Sequence, residues 1–234
     1  MKKLVIVFYI CVFSGYFSYG MLPEFFYEEV SVRNFKETNY VRNYYKGNMF
    51  RSDRTFNNSV IIYDLEKKEA LVIDTKKREY RIVPLSKFLR ELSDRINGFI
   101  RLGKTFVGEI KISFTGEFTN IMGYRCAKLV DNFGGYYYVT TDLLHIKTNF
   151  DSKLLQASGY EYNYENFSSL FALKELSLDD KSKNYFFRGY VLEQMGIIKT
   201  VFFVETNISF VRKIEFKVDD SVFSPDLSGY RKVN

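Results

Sequence analysis

From residue 25 onward the chain repeats one pattern: short segments with apolar residues at every second position, separated by tight polar or glycine-bearing turns. Strands are predicted over 25–32, 39–45, 48–51, 59–63, 70–74 and 79–83. A second series is predicted over 105–114, 124–130, 136–140, 184–193, 197–205 and 208–218. Turns such as Lys46-Gly47-Asn48 and Thr75-Lys76-Lys77 are too short for a crossover, so neighbouring strands are expected to be antiparallel.

Alternation is cleanest in two stretches. Ile110, Ile112 and Phe114 fall on one face, opposite Glu109, Lys111 and Ser113. Phe210, Ile214, Phe216 and Val218 are expected on one face, opposite Val211, Lys213, Glu215 and Lys217. One wet and one apolar face describe a sheet covered on a single side. The run 197–204 is apolar on both faces and predicts cover on each.

Helical spacing interrupts the strands. After Pro84, Leu85, Phe88, Leu89, Leu92 and Ile96 share a face, and Asn97-Gly98 reads as the stop. A second helix is expected over 165–176, with Phe167, Leu170, Phe171 and Leu173 on its apolar side, and a short third over 151–157. The expected fold is mainly β (α+β). About eleven strands form a curved antiparallel sheet, an open half-barrel, with two or three helices closing its concave face.

The first residues predict export. Lys2-Lys3 precede a ten-residue apolar run over 4–13, and Ser18 and Gly20 supply small residues for cleavage before Met21. The run is shorter than the roughly 20 residues of a membrane span. Cys11 follows Phe8-Tyr9-Ile10, which disfavours lipidation. The expected organisation is a signal peptide over 1–20 and one domain over 21–234, periplasmic or secreted. Such a mature chain keeps 32 basic and 28 acidic residues and one thiol, Cys126, so its stability must come from its core rather than a disulfide.

Composition narrows the chemistry. Among 234 residues there is one histidine, two cysteines and no tryptophan, against 24 Phe and 19 Tyr. No nucleophile-elbow, phosphate-loop, dinucleotide or zinc-protease motif occurs, and His145 alone cannot supply a catalytic triad or a histidine metal site. Cys126 lies between Arg125 and Lys128 in sequence, but it reads more readily as a small buried hydrophobe than as a reactive thiol. Asp179-Asp180 and Asp219-Asp220 fall in turns, where adjacent carboxylates rarely converge as acid and base. The densest basic run, Lys76-Lys77-Arg78, reads as a turn rather than a nucleic-acid grip. No enzyme activity, metal, cofactor or nucleic-acid partner is expected.

The aromatic content has two readings: side chains filling a core, or the lining of an apolar cavity for a lipid or acyl chain. Three stretches bear on the choice. They are Gly47–Asp53 with Ser59–Asp64, then Thr115-Gly-Glu with Ile121-Met-Gly-Tyr-Arg-Cys126-Ala-Lys128, and the ending Phe223-Ser-Pro225 with Gly229-Tyr230.

Together these stretches resemble an uncharacterised family of exported bacterial proteins. That family is similar in turn to the LolA/LolB-like periplasmic lipoprotein carriers and their lipid-binding relatives. The resemblance implies an incomplete β-barrel whose hollow holds acyl chains, and it places Arg51 in a setting comparable to the carriers' early-strand arginine. The chain departs from the carriers in lacking their tryptophans.

The expected function is therefore non-enzymatic: an exported monomer shielding a lipid or lipoprotein acyl chain, in transport between envelope membranes and alongside envelope membrane proteins. The expected hydrophobic site combines Phe88, Leu89, Leu92 and Ile96 with Phe167 and Phe171 as lid. Ile110, Ile112, Phe114, Phe210, Ile214 and Phe216 form its floor, and Arg51 is its polar anchor. The rival reading is an envelope scaffold with a filled core, docking partners through exposed tyrosines at 136–138.

Overall fold

A computed structural model describes residues 24–107, 109, 111–143, 152–159, 177–182, 185, 190–199 and 204–233. The protein is mainly β. The first six strands form a meander: β1 (Phe25–Arg33), β2 (Glu37–Lys46), β3 (Met49–Arg54), β4 (Ser59–Asp64), β5 (Glu69–Asp74) and β6 (Glu79–Pro84). Helix α1 follows over Leu85–Val107, then β7 (Lys111–Ile121), β8 (Tyr124–Asp131) and β9 (Tyr136–Thr140). A short helix, α2, covers 152–157. The last strands are β10 (Ser177–Leu178), β11 (Tyr190–Lys199), β12 (Val204–Glu215) and β13 (Arg231–Lys232).

The strands join in a single order, β10-β7-β8-β9-β11-β12-β1-β2-β3-β4-β5-β6-β13. Eleven longer strands pair antiparallel, while the two-residue β10 and β13 add in parallel to β7 and β6. Among the described residues the sheet therefore has thirteen strands, the eleven longer ones antiparallel as expected and two short parallel additions at its edges. Each half is built from hairpins, and the halves meet where β1 pairs with β12.

Three boundaries differ from expectation. Helix α1 passes through Asn97-Gly98 to Val107. Asn97 Nδ2 donates to Ser93 Oγ within the helix instead of ending it, and Gly98 has open space around it. An isolated helical glycine costs only about 1 kcal/mol, which a long amphipathic helix absorbs. Second, the strand expected over 105–114 begins only at Lys111, because 105–107 close the helix. Third, the three strands expected between 184 and 218 are two: Gly196 pairs with Asn207 inside β11 instead of making a turn. The second helix expected over 165–176 lies outside the described residues.

Among the described residues three bulges change which side chains share a face, one of them at Leu192 of β11, between the pairs Val191–Val139 and Glu193–Tyr138. Glu29 pairs with Val211 and Glu28 with Lys213, so Arg212 is an extra residue in β12. In β7, Phe114 pairs with Leu129 and Phe118 with Ala127, leaving Thr115-Gly116-Glu117 opposite Lys128 alone.

The C-terminal segment after β12 is a strap. Val218 is held at both backbone groups: its N–H donates to Glu24 and its carbonyl accepts from Lys46 Nζ, each at 3.0 Å. Asp219 caps the 3-10 turn Asp220–Phe223 through Ser221 N. Arg231 N and Val233 N then donate to Arg78 O and Tyr80 O at the far edge of the sheet. The strap crosses the face that carries Arg51 and, paired with it, Ile62. Ile62 and Ile73 on that side are each 3% exposed, so β4 and β5 are buried on both faces rather than one.

Candidate functional site

The opposite, inner face is where α1 lies. Cross-strand pairing brings Tyr45 opposite Phe50 and Phe50 opposite Tyr63. Their ring centroids are 4.5 and 5.1 Å apart, and Phe88 of α1 meets Tyr63 edge-on at 5.5 Å. Phe25 continues the row from β1, 5.9 Å from Tyr45. An aromatic row thus runs from α1 across four strands, spaced at the 4.5–7 Å that favours tilted and edge-on pairs.

Two apolar clusters meet at Tyr45. One joins Phe50, Ile61, Tyr63, Leu65, Ala70 and Val83 to Leu85 and Phe88, with Leu92 and the α2 residues Leu154 and Ala157 against it. The other joins Phe25, Cys126, Leu143, Leu192 and Val211, with Tyr27, Tyr138 and Ile214 against it. Arg81 and Glu91 tie β6 to α1 at 3.0 Å.

Three of the six expected lid residues pack on or beside the sheet. Phe88 and Leu89 are buried and Leu92 packs at the rim. Ile96 lies on α1, whereas Ile110, Phe167 and Phe171 fall outside the described residues.

The floor needs correction in its second row, where Phe210 turns away from Ile214. Ile112 is buried opposite Asp131, and the pairings Phe114–Leu129–Tyr137–Gln194–Ser209–Ser31 connect its side of β7 to the face of β1 that carries Tyr27 and Glu29. Phe114 lies on that side too, with its ring 5.0 Å from Tyr185 and its N–H donating to Asp179. Ile214 packs with the Cys126 cluster. The bulge at Arg212 inverts the parity of β12 and puts Val211 inside with Ile214, leaving Phe210 exposed. Phe216, beyond the strand, is 58% exposed although its ring lies 5.7 Å from Phe25.

Arg51 is also placed differently. Its guanidinium engages Asp53 through Nε and Nη2 and donates from Nη1 to Val222 O of the strap. It lies on the side of β3 away from Phe50 and clasps the strap. Tyr45, Phe50 and Tyr63 were missing from the sequence-derived site. Pairing the strands through their tight turns would have found them, because that register stacks all three.

On the strap side lies a depression of about 450 Å³, lined in part by Phe26, Glu28, Arg42, Tyr44, Arg212 and Val222. Glu28 is 4% exposed and accepts from Arg42 Nε at 2.6 Å and from Arg212. Burial pushes the Glu28 carboxyl up, but hydrogen bonds and charge from the two arginines outweigh it and leave it below the ordinary range. The group is held ionised as a structural tie between β1, β2 and β12.

Cys126 is buried in the inner cluster, and His145 lies outside the described residues. Among the described residues no group of His, Cys, Asp and Glu is placed to hold a metal ion, and no helix is long and apolar enough to cross a membrane.

No protein-family description matches the chain, and no curated protein matches it in sequence. Among solved structures, an uncharacterised conserved protein from Thermus thermophilus aligns over 91% of this chain and 90% of its own. The identity is 8% and the TM-score 0.44. A LolA superfamily protein from Nitrosomonas europaea aligns over 86% of this chain and 90% of its own, at 9% identity and a TM-score of 0.27. Likeness at this level fixes neither family nor activity.

Proposed function

We propose that this is an exported, non-enzymatic protein that shields an acyl chain of a lipid or lipoprotein between α1 and the inner face of the sheet. The observation that carries the reading is the aromatic row Phe25–Tyr45–Phe50–Tyr63–Phe88. It extends the apolar surface beneath α1 toward β1 and the Cys126 cluster. A chain entering along that row exchanges water for apolar contact at about 25 cal/mol per Å², and transfer needs no covalent step. Helix α1 is amphipathic and attached to the sheet mainly through one apolar side, as a movable cover must be.

One observation favours a second reading, a scaffold with a filled core. Phe25, Leu85, Cys126 and Leu192 are each fully buried. Native and denaturing mass spectra of the protein purified without detergent, with titration of a fluorescent fatty acid, separate the two. Adducts lost on denaturation, or saturable probe binding competed by unlabelled fatty acid, support the carrier. A bare polypeptide mass together with no probe binding by the folded protein rejects it in favour of the scaffold.

A further inference from the structure

At one end of the sheet three hairpin turns stand side by side: 34–36 between β1 and β2, 55–58 between β3 and β4, and 75–78 between β5 and β6. They are fastened to their neighbours. Asn34 N donates to Thr206 O at 2.7 Å, and Thr206 N donates back to Asn34 Oδ1 at 3.0 Å. Thr55 Oγ1 accepts from Tyr40 N at 2.8 Å, and Thr75 donates to Asn58 O through both N and Oγ1. The tips therefore form one rim rather than three independent loops.

Two phenylalanines stand out from this rim, Phe35 at 72% exposure and Phe56 at 43%. Phe35 also has a φ of 57°, the left-handed region that asparagine or glycine enters far more readily than a bulky aromatic. The turn thus holds a ring out in water where ordinary turn chemistry favours a small residue. Around the two rings Lys36, Lys76, Lys77 and Arg78 are exposed, and 34–36, 55–58 and 75–78 contain no acidic residue. The acidic residues flanking the turns are engaged elsewhere, Glu37 by Arg33, Asp74 by Lys77 and Glu79 by Arg231, and Lys36, Lys76 and Arg78 stay exposed.

Exposed aromatic rings at headgroup depth, surrounded by cations that meet lipid phosphates, are the chemistry of a contact with an anionic bilayer. We infer that this rim docks the protein on an anionic lipid surface, with Phe35 and Phe56 entering the interface and Lys36, Lys76, Lys77 and Arg78 binding the phosphates. The inference does not depend on an acyl chain being held at the inner face.

The chain contains no tryptophan, so Phe35→Trp in the full chain creates a single local reporter. Phe56→Trp is a second reporter should the first perturb the turn. With phosphatidylcholine vesicles containing phosphatidylglycerol, emission at either position should shift to the blue and be quenched by brominated lipid. Phe216→Trp, exposed at the opposite end of β12, should do neither. Adding Lys76→Glu, Lys77→Glu and Arg78→Glu to the Phe35→Trp chain should cut partition by about tenfold or more. The inference is overturned if the rim reporters stay in water, if Phe216→Trp responds equally, or if pure phosphatidylcholine gives the same shift. Silence toward vesicles would assign the exposed rings to a protein partner instead.

Discussion

Arg51 donates to the backbone carbonyl of Val222, joining residues 171 positions apart and fixing the C-terminal strap to β3. Asp53 holds the guanidinium from its own strand and aims it at the strap. The strap is clamped again at Val218 and at Arg231, which leaves Arg51 as its central clasp.

Replacing this side chain tests which face it serves. Arg51→Ala should lower stability to urea by about 1–3 kcal/mol, the range for hydrogen bonds from a charged group. Hydrogen exchange at the Arg231 and Val233 amides should quicken, while fatty-acid affinity stays unchanged. Weakened fatty-acid binding with strap exchange unaltered would instead return Arg51 to the inner face.

Glu28 predicts a pH dependence. Its folded carboxyl lies below the ordinary value, because Arg42 and Arg212 outweigh the cost of burial. A depressed carboxylate contributes stability that is fully present above its unfolded pKa of about 4.3 and is lost as pH falls through the lower folded value. Wild-type protein should therefore lose stability progressively below about pH 5. Glu28→Gln should be less stable at pH 7 by about 2 kcal/mol, and the gap should narrow on acidification. Chemical denaturation at several pH values checks this. A gap that stays constant or widens toward pH 3 would contradict it.

The bulge at Arg212 can be checked by a pair of substitutions. Val211 is 5% exposed in the Cys126 cluster, whereas Phe210, its neighbour, is 36% exposed. Val211→Asp should cost about 3 kcal/mol or more by burying an unpaired charge, and Phe210→Asp should cost less than about 1 kcal/mol. The uninterrupted alternation expected from sequence requires the reverse order, so thermal denaturation of the two variants decides the parity.

These particulars explain what was legible in the chain. The meander β1–β6 could be read because each strand alternates and each turn is too short for any connection but a hairpin. The start of α1 could be read from Pro84 and the spacing of Leu85, Phe88, Leu89 and Leu92. Bulges were illegible because the extra residue at Arg212 is defined by its partner strand: Glu28 and Glu29 count one step where β12 counts two. The strap was illegible for a similar reason. Residues 219–230 carry turn chemistry only, and their course is set by Lys46, Glu24 and Arg51, far away in sequence. The packing of Phe88, Leu89 and Leu92 followed from local periodicity, while the stacking of Tyr45, Phe50 and Tyr63 needed pairwise register.

Phe88 offers the most direct link between packing and the proposed ligand. Its ring closes the aromatic row against Tyr63 and is 2% exposed. Phe88→Ala should destabilise the protein by about 3–5 kcal/mol, the sum of lost transfer energy and the cavity left behind. That cavity would open on the row Tyr45–Phe50–Tyr63, along the route assigned to an acyl chain. A fatty acid at a fixed excess concentration should therefore raise the Tm of Phe88→Ala by more than it raises that of wild type, because stabilisation by a ligand grows with the logarithm of its concentration over Kd. Ile62→Ala serves as the control: Ile62 is equally buried but pairs with Arg51 on the strap face, so fatty acid should restore little of its loss. Equal recovery in both variants would mean that the fatty acid acts on the protein without occupying the space beneath α1.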